Sequence, residues 1–190
     1  GTVRLIFQPA EENFQGGHQV IDAGGIEGVS AIVGYHNNPH LKPGQLGLRS
    51  GAIMAGVEQF EVIVKGVSAH AARPDLGVDT VLVITTIINN LQNIISRTVS
   101  PFQSAVLSVT HIDVGNTWNV LPAEGFFEGT IRTFDPEVRL SVIDKFTKVV
   151  QATAEQFGAD VDIVWGNSPK VTFNDATITP LIFENSKKFA

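Results

Sequence analysis

Residues 57–65 read VEQFEVIVK and residues 79–97 read DTVLVITTIINNLQNIISR, and these two stretches decide the fold of the middle of the chain. In the first, Phe60, Val62 and Val64 lie on one side of an alternating pattern, which predicts a half-buried strand. In the second, isoleucines and leucines recur at helical spacing, which predicts an amphipathic helix. Many residues of this helix are β-branched, so packing must support it.

Two more strands are predicted downstream of this helix. Residues 104–113 alternate, with Leu107 and Val109 on one side. We expect His111 to share that face as a packed or edge histidine rather than as a ligand. Residues 124–134 alternate in the same way and form the next strand.

The second helix of this region has clear signals at both ends. Asp135 is a good N-cap, Pro136 takes the first helical position, and Gly158 ends the helix. Residues 161–165 then alternate as a last strand. The order β-α-β-β-α-β over residues 57–166 predicts a ferredoxin-like domain, in which two helices cover one face of an antiparallel sheet.

The segments on either side predict a second domain. Residues 2–7 and 29–34 look like buried strands and residues 16–23 like a weak helix, which predicts a parallel βαβ unit with a right-handed crossover. Residues 41–56 are predicted to be loop and turn. Residues 167–190 are expected to return to this domain.

The predicted fold class is therefore α/β. A partial α/β domain at residues 1–56 and 167–190 is interrupted by the ferredoxin-like domain at residues 57–166. The chain starts inside an apolar run, and residues 183–190 look like a helix without a cap. We therefore expect the chain to be part of a longer protein.

Composition narrows the choice of partners and compartment. The chain has 190 residues, a net charge of −6 and no basic run, which argues against nucleic acid. No apolar run approaches the length of a membrane span, so no membrane partner is expected. Because there is no cysteine, any metal must use His, Asp or Glu, and we expect a cytoplasmic location.

Glu11 and Glu12 follow the first predicted strand, and His36 follows the second. The carboxyl ends of parallel strands share one edge of a sheet, so we expect these three side chains on that edge. Carboxylate and imidazole together suit Zn, Mn or Co. One glutamate could bind metal while the other takes a proton from water, as metal-assisted hydrolysis requires.

Simpler interpretations of these polar residues stay open. Adjacent glutamates are common in surface turns, and two ligands do not make a metal site. His18 and His40 are expected at the surface. Trp118 and Trp165 are most simply core or interface residues.

Five motifs occur in one order along the whole chain, and any one of them alone is weak. They are FQPAEEN at 7–13, GYH at 34–36, SAHAARP at 68–74, NVLP at 119–122 and GTIR at 129–132. Together with the domain plan they resemble the two-metal aminoacylase/carboxypeptidase peptidases, specifically the N-acyl-amino-acid amidohydrolases that include hippurate hydrolases and auxin-conjugate hydrolases.

The resemblance implies a role for each matching residue. Glu11 matches the general base that activates the attacking water, and Glu12 and His36 match metal ligands. His70 matches the lid-domain histidine, which in related dimeric enzymes reaches a partner's active site and steadies the oxyanion. From sequence alone, a solvated loop histidine is the simpler interpretation of His70.

Asn119 and Arg132 match lid positions that hold the substrate's carboxylate in some relatives, although Arg132 could equally pair with a surface acid. The ferredoxin-like insertion matches the lid, which is also the dimerisation domain. The resemblance therefore implies two divalent metal ions, an N-acyl amino acid or similar small amide as substrate, and a homodimer formed through the lid.

The sequence also departs from the family pattern. The first metal-binding motif and the last ligand histidine are absent, and Tyr35 and Asn37-Asn38 replace the usual neighbours of His36. We therefore expect this chain alone to be inactive, although it could still dimerise. An alternative of another class is a non-catalytic ferredoxin-like module that binds small molecules or only dimerises.

Overall fold

The computed structural model describes residues 1–12 and 15–188. The elements in chain order are α1 (Gly16–Asp22), β1 (Gly51–Met54), β2 (Gly56–Lys65), β3 (Ala69–His70), a 3₁₀ turn (Pro74–Leu76), α2 (Thr80–Asn93), a π-helical segment (Ile94–Thr98), β4 (Ala105–Val114), β5 (Val120–Leu121), β6 (Glu124–Thr133), α3 (Pro136–Phe157), β7 (Asp160–Trp165), β8 (Thr172–Asn174) and α4 (Ile178–Ser186). The chain divides into two compact units. We call Ala52–Phe173 the lid unit and residues 1–51 with 174–190 the flanking unit.

The lid unit contains the predicted order β-α-β-β-α-β. Its main sheet has four strands in the order β4-β6-β2-β7, and each neighbouring pair is antiparallel. The strands that are adjacent in sequence are therefore not all adjacent in the sheet, which is the split arrangement expected of this element order. The α/β fold class with an inserted lid domain is confirmed.

One face of this sheet is covered by both long helices. Phe60, Phe127 and Phe146 are almost fully buried there and pack against one another and Trp165. Gly129 leaves room for Phe60, because a Cβ at Gly129 would lie 2.7 Å from the Phe60 ring. The same core includes side chains of α2 and α3, among them Val83, Ile84, Ile87, Leu91, Val142 and Val150.

Helix α3 begins and ends where its local sequence predicts. The Asp135 carboxylate accepts hydrogen bonds from the backbone N–H groups of Glu137 (2.7 Å) and Val138 (3.1 Å). At the other end, Gly158 has a φ of +71°, a left-handed conformation that glycine adopts without steric cost.

The prediction that His111 shares a face with Leu107 and Val109 is wrong. A β-bulge lies between Val109 and His111, so that Val109 pairs with Gly129 whereas His111 pairs with Glu128. The extra residue turns His111 to the open face of the sheet, where its Nδ1 lies 3.1 Å from the Glu128 carboxylate. Trp165 is partly buried and packs against the core, but Trp118 is 91% exposed and does not belong to the core.

Two connecting segments of the lid unit run side by side. Strands β1 and β8 form a two-stranded sheet, and the Val57 N–H donates to the Pro169 carbonyl (2.9 Å). Glu58, only 4% exposed, accepts hydrogen bonds from Arg139 on α3 and from the Ser168 hydroxyl. The prediction of loop throughout residues 41–56 is therefore wrong for β1, because a partner far along the chain creates that strand.

The flanking unit contains α1 and α4, but it lacks the two strands predicted at residues 2–7 and 29–34. Those residues form neither helix nor strand, and Val3, Phe7 and Val33 are 84%, 90% and 66% exposed. A strand exists only through a hydrogen-bonded partner, and the described residues provide none for either segment. No helix in the described part of the chain is long and apolar enough to cross a membrane.

Candidate functional site

Glu11 and Glu12 lie in an exposed turn whose shape depends on its neighbours. Ala10, just before them, has a φ of +52°, which is uncommon for a residue with a side chain. The Ala10 carbonyl accepts a hydrogen bond from the Gly16 N–H (3.3 Å), and a Cβ at Gly16 would lie 1.6 Å from the Pro9 carbonyl oxygen. The turn that carries both carboxylates therefore requires glycine at position 16.

The sheet edge predicted for Glu11, Glu12 and His36 is absent from the described residues, because neither strand of the βαβ unit is formed. His36 is exposed, and its Nδ1 lies 2.8 Å from the Asn37 carbonyl oxygen. Asn13, the last residue of the first motif, lies outside the described residues.

The flanking unit has ligand types that fit a divalent metal. The Glu12 carboxylate and the His36 imidazole suit Zn, Mn or Co. The contact between His36 Nδ1 and a carbonyl is the kind of support that metal-binding histidines usually have. However, no group of three or more His, Cys, Asp or Glu in the described part of the chain could hold a metal ion. The described residues thus offer ligands without a complete site.

The lid unit brings His70 and Asn119 together through the short ladder between β3 and β5. His70 pairs with Val120, and the Ala71 N–H donates to the Asn119 carbonyl (2.9 Å). A turn follows, in which the Arg73 N–H donates to the His70 carbonyl (2.7 Å). Within this turn the Ala72 N–H donates to His70 Nδ1 (3.1 Å), so the ring of this exposed histidine has a defined partner.

The Arg73 side chain pairs with an acid on the following 3₁₀ turn. Its Nε and Nη2 donate to the two Asp75 carboxylate oxygens at 2.9 and 2.8 Å. This charge-assisted pair lowers the pKa of Asp75 and raises the pKa of Arg73. The Arg73 guanidinium is therefore engaged within its own loop.

Arg132 lies apart from the His70 turn, on β6. It pairs in register with Val57 on one side and with Val106 on the other. Its side chain is exposed on the open face of the sheet, because its neighbour Ile131 faces the core. The ladder between β3 and β5 thus places His70 close to Asn119. Among the described residues, no hydrogen bond connects Arg132 to either of them.

Three contributors to the site were missed in the sequence. The Ala72 amide and the Asn37 carbonyl contact the two histidines, and Gly16 makes the glutamate turn possible. The pair Gly16-Gly17, which begins four residues after Glu12, was an available signal for a close turn. Nearly every residue type has a backbone N–H and C=O, so the sequence contains no signal for the roles of the Ala72 amide and the Asn37 carbonyl.

Comparison with known proteins places this chain among peptidases. Residues 54–158, more than half of the chain, match the family model described as the peptidase dimerisation domain. The N-acetyl-L-cysteine deacetylase of Bacillus subtilis is 42% identical over 188 residues, which are 99% of this chain and 45% of that relative. An N-acyl-L-amino acid amidohydrolase of Geobacillus stearothermophilus is 34% identical, over 92% of this chain and 48% of its own length.

An IAA-amino acid hydrolase of Arabidopsis thaliana is 35% identical, over 94% of this chain and 42% of that protein. The chain thus spans about half the length of the curated relatives it matches.

Solved structures agree with these relatives. A protein of methicillin-resistant Staphylococcus aureus superposes with a TM-score of 0.87 at 20% identity, over 95% of this chain and 48% of that one, which shows the fold. A dinuclear metal-binding peptidase of the M20 family from Bacillus subtilis superposes with a TM-score of 0.77 at 34% identity, over 96% of this chain and 46% of that one. The chain therefore belongs to the M20 peptidase family, and residues 54–158 are its dimerisation domain.

Proposed function

We propose that the whole protein containing this chain hydrolyses the amide bond of N-acyl amino acids or similar small amides. The observation that carries this proposal is the similarity of nearly the whole chain, 99% in one comparison, to deacetylases and amidohydrolases of N-acyl amino acids. The domain boundaries after residues 56 and 166 and a cytoplasmic location stay predictions.

In this proposal, each site residue has one task. Glu11 takes a proton from the attacking water and returns it to the leaving amine, a role worth about 10²–10⁴-fold in rate. His70 donates a hydrogen bond to the oxygen that becomes negative when the amide carbon is attacked. Asn119 and Arg132 hold the substrate's carboxylate. The ladder that pairs His70 with Val120 supports a shared task for His70 and Asn119.

We further propose that Glu12 and His36 are ligands of two divalent metal ions, with Zn, Mn and Co as candidates. Such ions supply Lewis-acid chemistry, which polarises the amide carbonyl and makes water more acidic. The remaining ligands would come from the rest of the whole protein, since the relatives are about twice as long as this chain.

The test uses the whole protein and a panel of N-acetyl amino acids. Glu11→Gln should lower kcat by about 10²–10⁴-fold and leave the metal content unchanged. Glu12→Gln should instead lower the metal content, measured by mass spectrometry. The matched control is Glu27→Gln, at an exposed glutamate of the same unit, which should leave both unchanged. Hydrolysis that survives a strong chelator would contradict the proposal.

The chain by itself is expected to be inactive. The described residues hold no group of three or more potential metal ligands, and a working site needs more than Glu12 and His36. Chelator-sensitive amidase activity in the purified chain of 190 residues would refute this expectation. Calorimetry that found amino-acid binding regardless of metal would instead favour the alternative of a non-catalytic binding module.

We propose that two copies associate through the side of the lid unit formed by β4 and α2. Strand β4 is an edge strand, so half of its backbone N–H and C=O groups are available for pairing with a copy. Residues 80–96, which include all of α2, contain no charged side chain. Leu82 on α2 and Val106 on β4 are 49% and 55% exposed. An uncharged, partly apolar helix beside a free strand edge is suited to self-association.

The opposite side of the lid unit is less suited to self-association. Its edge strand, β7, is shorter than β4 and carries Asp160 and Asp162, the second of which pairs with Lys65. The neighbouring helix α3 presents charged residues such as Asp144 and Lys148, which pair with each other. Charges along an edge oppose pairing with another strand.

Two exposed leucines provide a matched test of the choice of side. Leu82→Glu on α2 should convert the dimer to a monomer in light scattering, because it buries a charge in the proposed interface. Leu140→Glu on α3, where Leu140 is 62% exposed, should leave the dimer intact. A monomeric unmodified chain, or a dimer broken only by the Leu140 variant, would contradict the proposed interface.

A further inference from the structure

We propose that the backbone sets opposite tautomers in His36 and His70, so that His36 keeps a free lone pair at Nε2 whereas His70 keeps an N–H donor at Nε2. The use of these tautomers in catalysis rests on the proposed function. The tautomers themselves follow from the chemistry of two hydrogen bonds, and they can be measured without any activity.

The contact at His70 fixes which ring nitrogen is unprotonated. Its partner, the Ala72 N at 3.1 Å, is a backbone amide that can only donate. Nδ1 must therefore present its lone pair, and in the neutral ring the single proton resides on Nε2. The turn closed by the Arg73 N–H and the His70 carbonyl (2.7 Å) holds the Ala72 amide in place.

The contact at His36 has the opposite polarity. Its Nδ1 lies 2.8 Å from the Asn37 carbonyl oxygen, which can only accept. Nδ1 must therefore carry the proton, and in the neutral ring Nε2 keeps its lone pair. His111 resembles His36 in this respect, because its Nδ1 faces the Glu128 carboxylate at 3.1 Å. Among these three histidines, His70 alone accepts at Nδ1.

The two tautomers match the two proposed tasks. A metal ion needs the lone pair of a ring nitrogen, and a second contact at the other nitrogen usually sets which one is available. A developing oxyanion needs an N–H donor instead. If the two backbone contacts were exchanged, His36 would offer a proton to the metal and His70 would offer a lone pair to the oxyanion. Ala72 is thus a positioning residue that acts through its amide.

The tautomers can be determined on the ¹⁵N-labelled, metal-free chain by long-range ¹H–¹⁵N NMR. The spectrum is recorded at a mildly alkaline pH, where free imidazole is neutral. His36→Gln and His70→Gln variants assign the two rings. His40 is the reference, because the ring of this exposed residue has no hydrogen-bond partner in the described part of the chain.

We expect His70 Nδ1 to have a more pyridine-like shift than His40 Nδ1. We expect His36 to show the reverse, with a pyrrole-like Nδ1 and a pyridine-like Nε2. A pyrrole-like Nδ1 in His70, or a His36 whose shifts equal those of His40, would overturn the proposal. The measurement needs neither metal nor substrate. The tautomer proposal can therefore be contradicted while the proposed hydrolase function stands, and the hydrolase function can be contradicted while the tautomers are as proposed.

A backbone edit tests the cause of the His70 tautomer. Replacing the Ala72 amide by an ester, through incorporation of lactic acid at that position, removes the donor and keeps the methyl group. The His70 shifts should then move to the averaged values of His40, and His36 should not change. If His70 kept its shifts without the Ala72 N–H, the backbone would not set the tautomer. Should the ester prevent folding, the comparison of His70 with His40 in the unmodified chain still decides the proposal.

Discussion

The lid unit buries many of its apolar side chains, whereas the flanking unit leaves its own exposed or only partly buried. Every buried apolar side chain in the described part of the chain belongs to the lid unit, from Val57 to Ala159. In the flanking unit, Leu5 and Phe7 are 78% and 90% exposed. The lid closes its own core because two helices cover one face of a complete sheet. The flanking segments have the composition of buried strands without the partners that would bury them.

The motifs of the flanking unit are present in the sequence, although the strands predicted beside them are not formed among the described residues. The presence of a motif therefore does not by itself establish the local fold. The relatives are about twice as long as this chain, and we infer that the partners of the flanking strands lie in the remainder of the whole protein. On the proposed function, Glu11, Glu12 and His36 would belong to a site that is assembled only in the whole protein. Substitutions in the two units test this contrast, and the largest effect is expected in the core of the lid unit.

Phe146→Ala should destabilise the lid unit most. Phe146 is fully buried against Phe60 and Trp165, and truncating a buried phenylalanine costs about 3–5 kcal/mol through lost burial and the cavity left behind. Urea unfolding followed by circular dichroism measures the loss. A cost below about 1 kcal/mol would mean that the lid does not hold a packed core of its own.

Glu58→Gln should have the next largest effect. Glu58 is 4% exposed and bonds to Arg139 and Ser168, so the change removes a charge that a partly buried guanidinium requires. We expect a loss of about 2 kcal/mol in the free energy of unfolding. Glu61→Gln, on the same strand but half-exposed, is the control and should cost less than about 0.5 kcal/mol. Equal effects would argue against a special role of the Glu58 network.

Phe7→Ala should cost almost nothing in this chain. Phe7 is 90% exposed, so its truncation should change the free energy of unfolding by less than about 0.5 kcal/mol. In the whole protein, where we propose that this segment is a buried strand, the same change should cost about 3 kcal/mol. Thermal or urea unfolding of both proteins gives the comparison. Equal small costs in both would remove the proposed role of the missing partners.

A pH titration should show the smallest effect, at the start of α4. The Asp175 carboxylate accepts hydrogen bonds from the Thr177 hydroxyl and from the N–H groups of Thr177 and Ile178, which lowers its pKa. Because the folded pKa lies below the unfolded value, its stabilisation is complete above the unfolded pKa and is lost as the pH falls through the folded pKa. NMR titration of the Asp175 carboxyl should place its midpoint below the usual aspartate range. An ordinary midpoint would show that these hydrogen bonds do not hold Asp175 in the turn that leads into α4.

The sequence was sufficient wherever neighbouring residues carry the signal. The cap at Asp135 and the stop at Gly158 follow from contacts within one helical turn. The alternation that buries Phe60, Val62 and Val64 follows from the two-residue period of a strand. These local rules also gave the order of elements in the lid, because each element there has its partner within the chain. The motif order in turn identified the family.

Tertiary structure decided what depends on distant partners. Strand β1 exists because β8 pairs with it, and the segments at 2–7 and 29–34 fail to become strands because no described residue pairs with them. The bulge after Val109 turned His111 to the open face, although its sequence spacing matched the core.

The hydrogen-bond contacts of the His36 and His70 rings were also decided by the folded structure rather than by the sequence pattern. The sequence determined which residues could do chemistry, but the Asn37 carbonyl and the Ala72 amide decide which nitrogen of each ring is available. The physical reason is that side-chain patterns record burial, whereas hydrogen-bond polarity depends on where the folded backbone places its N–H and C=O groups.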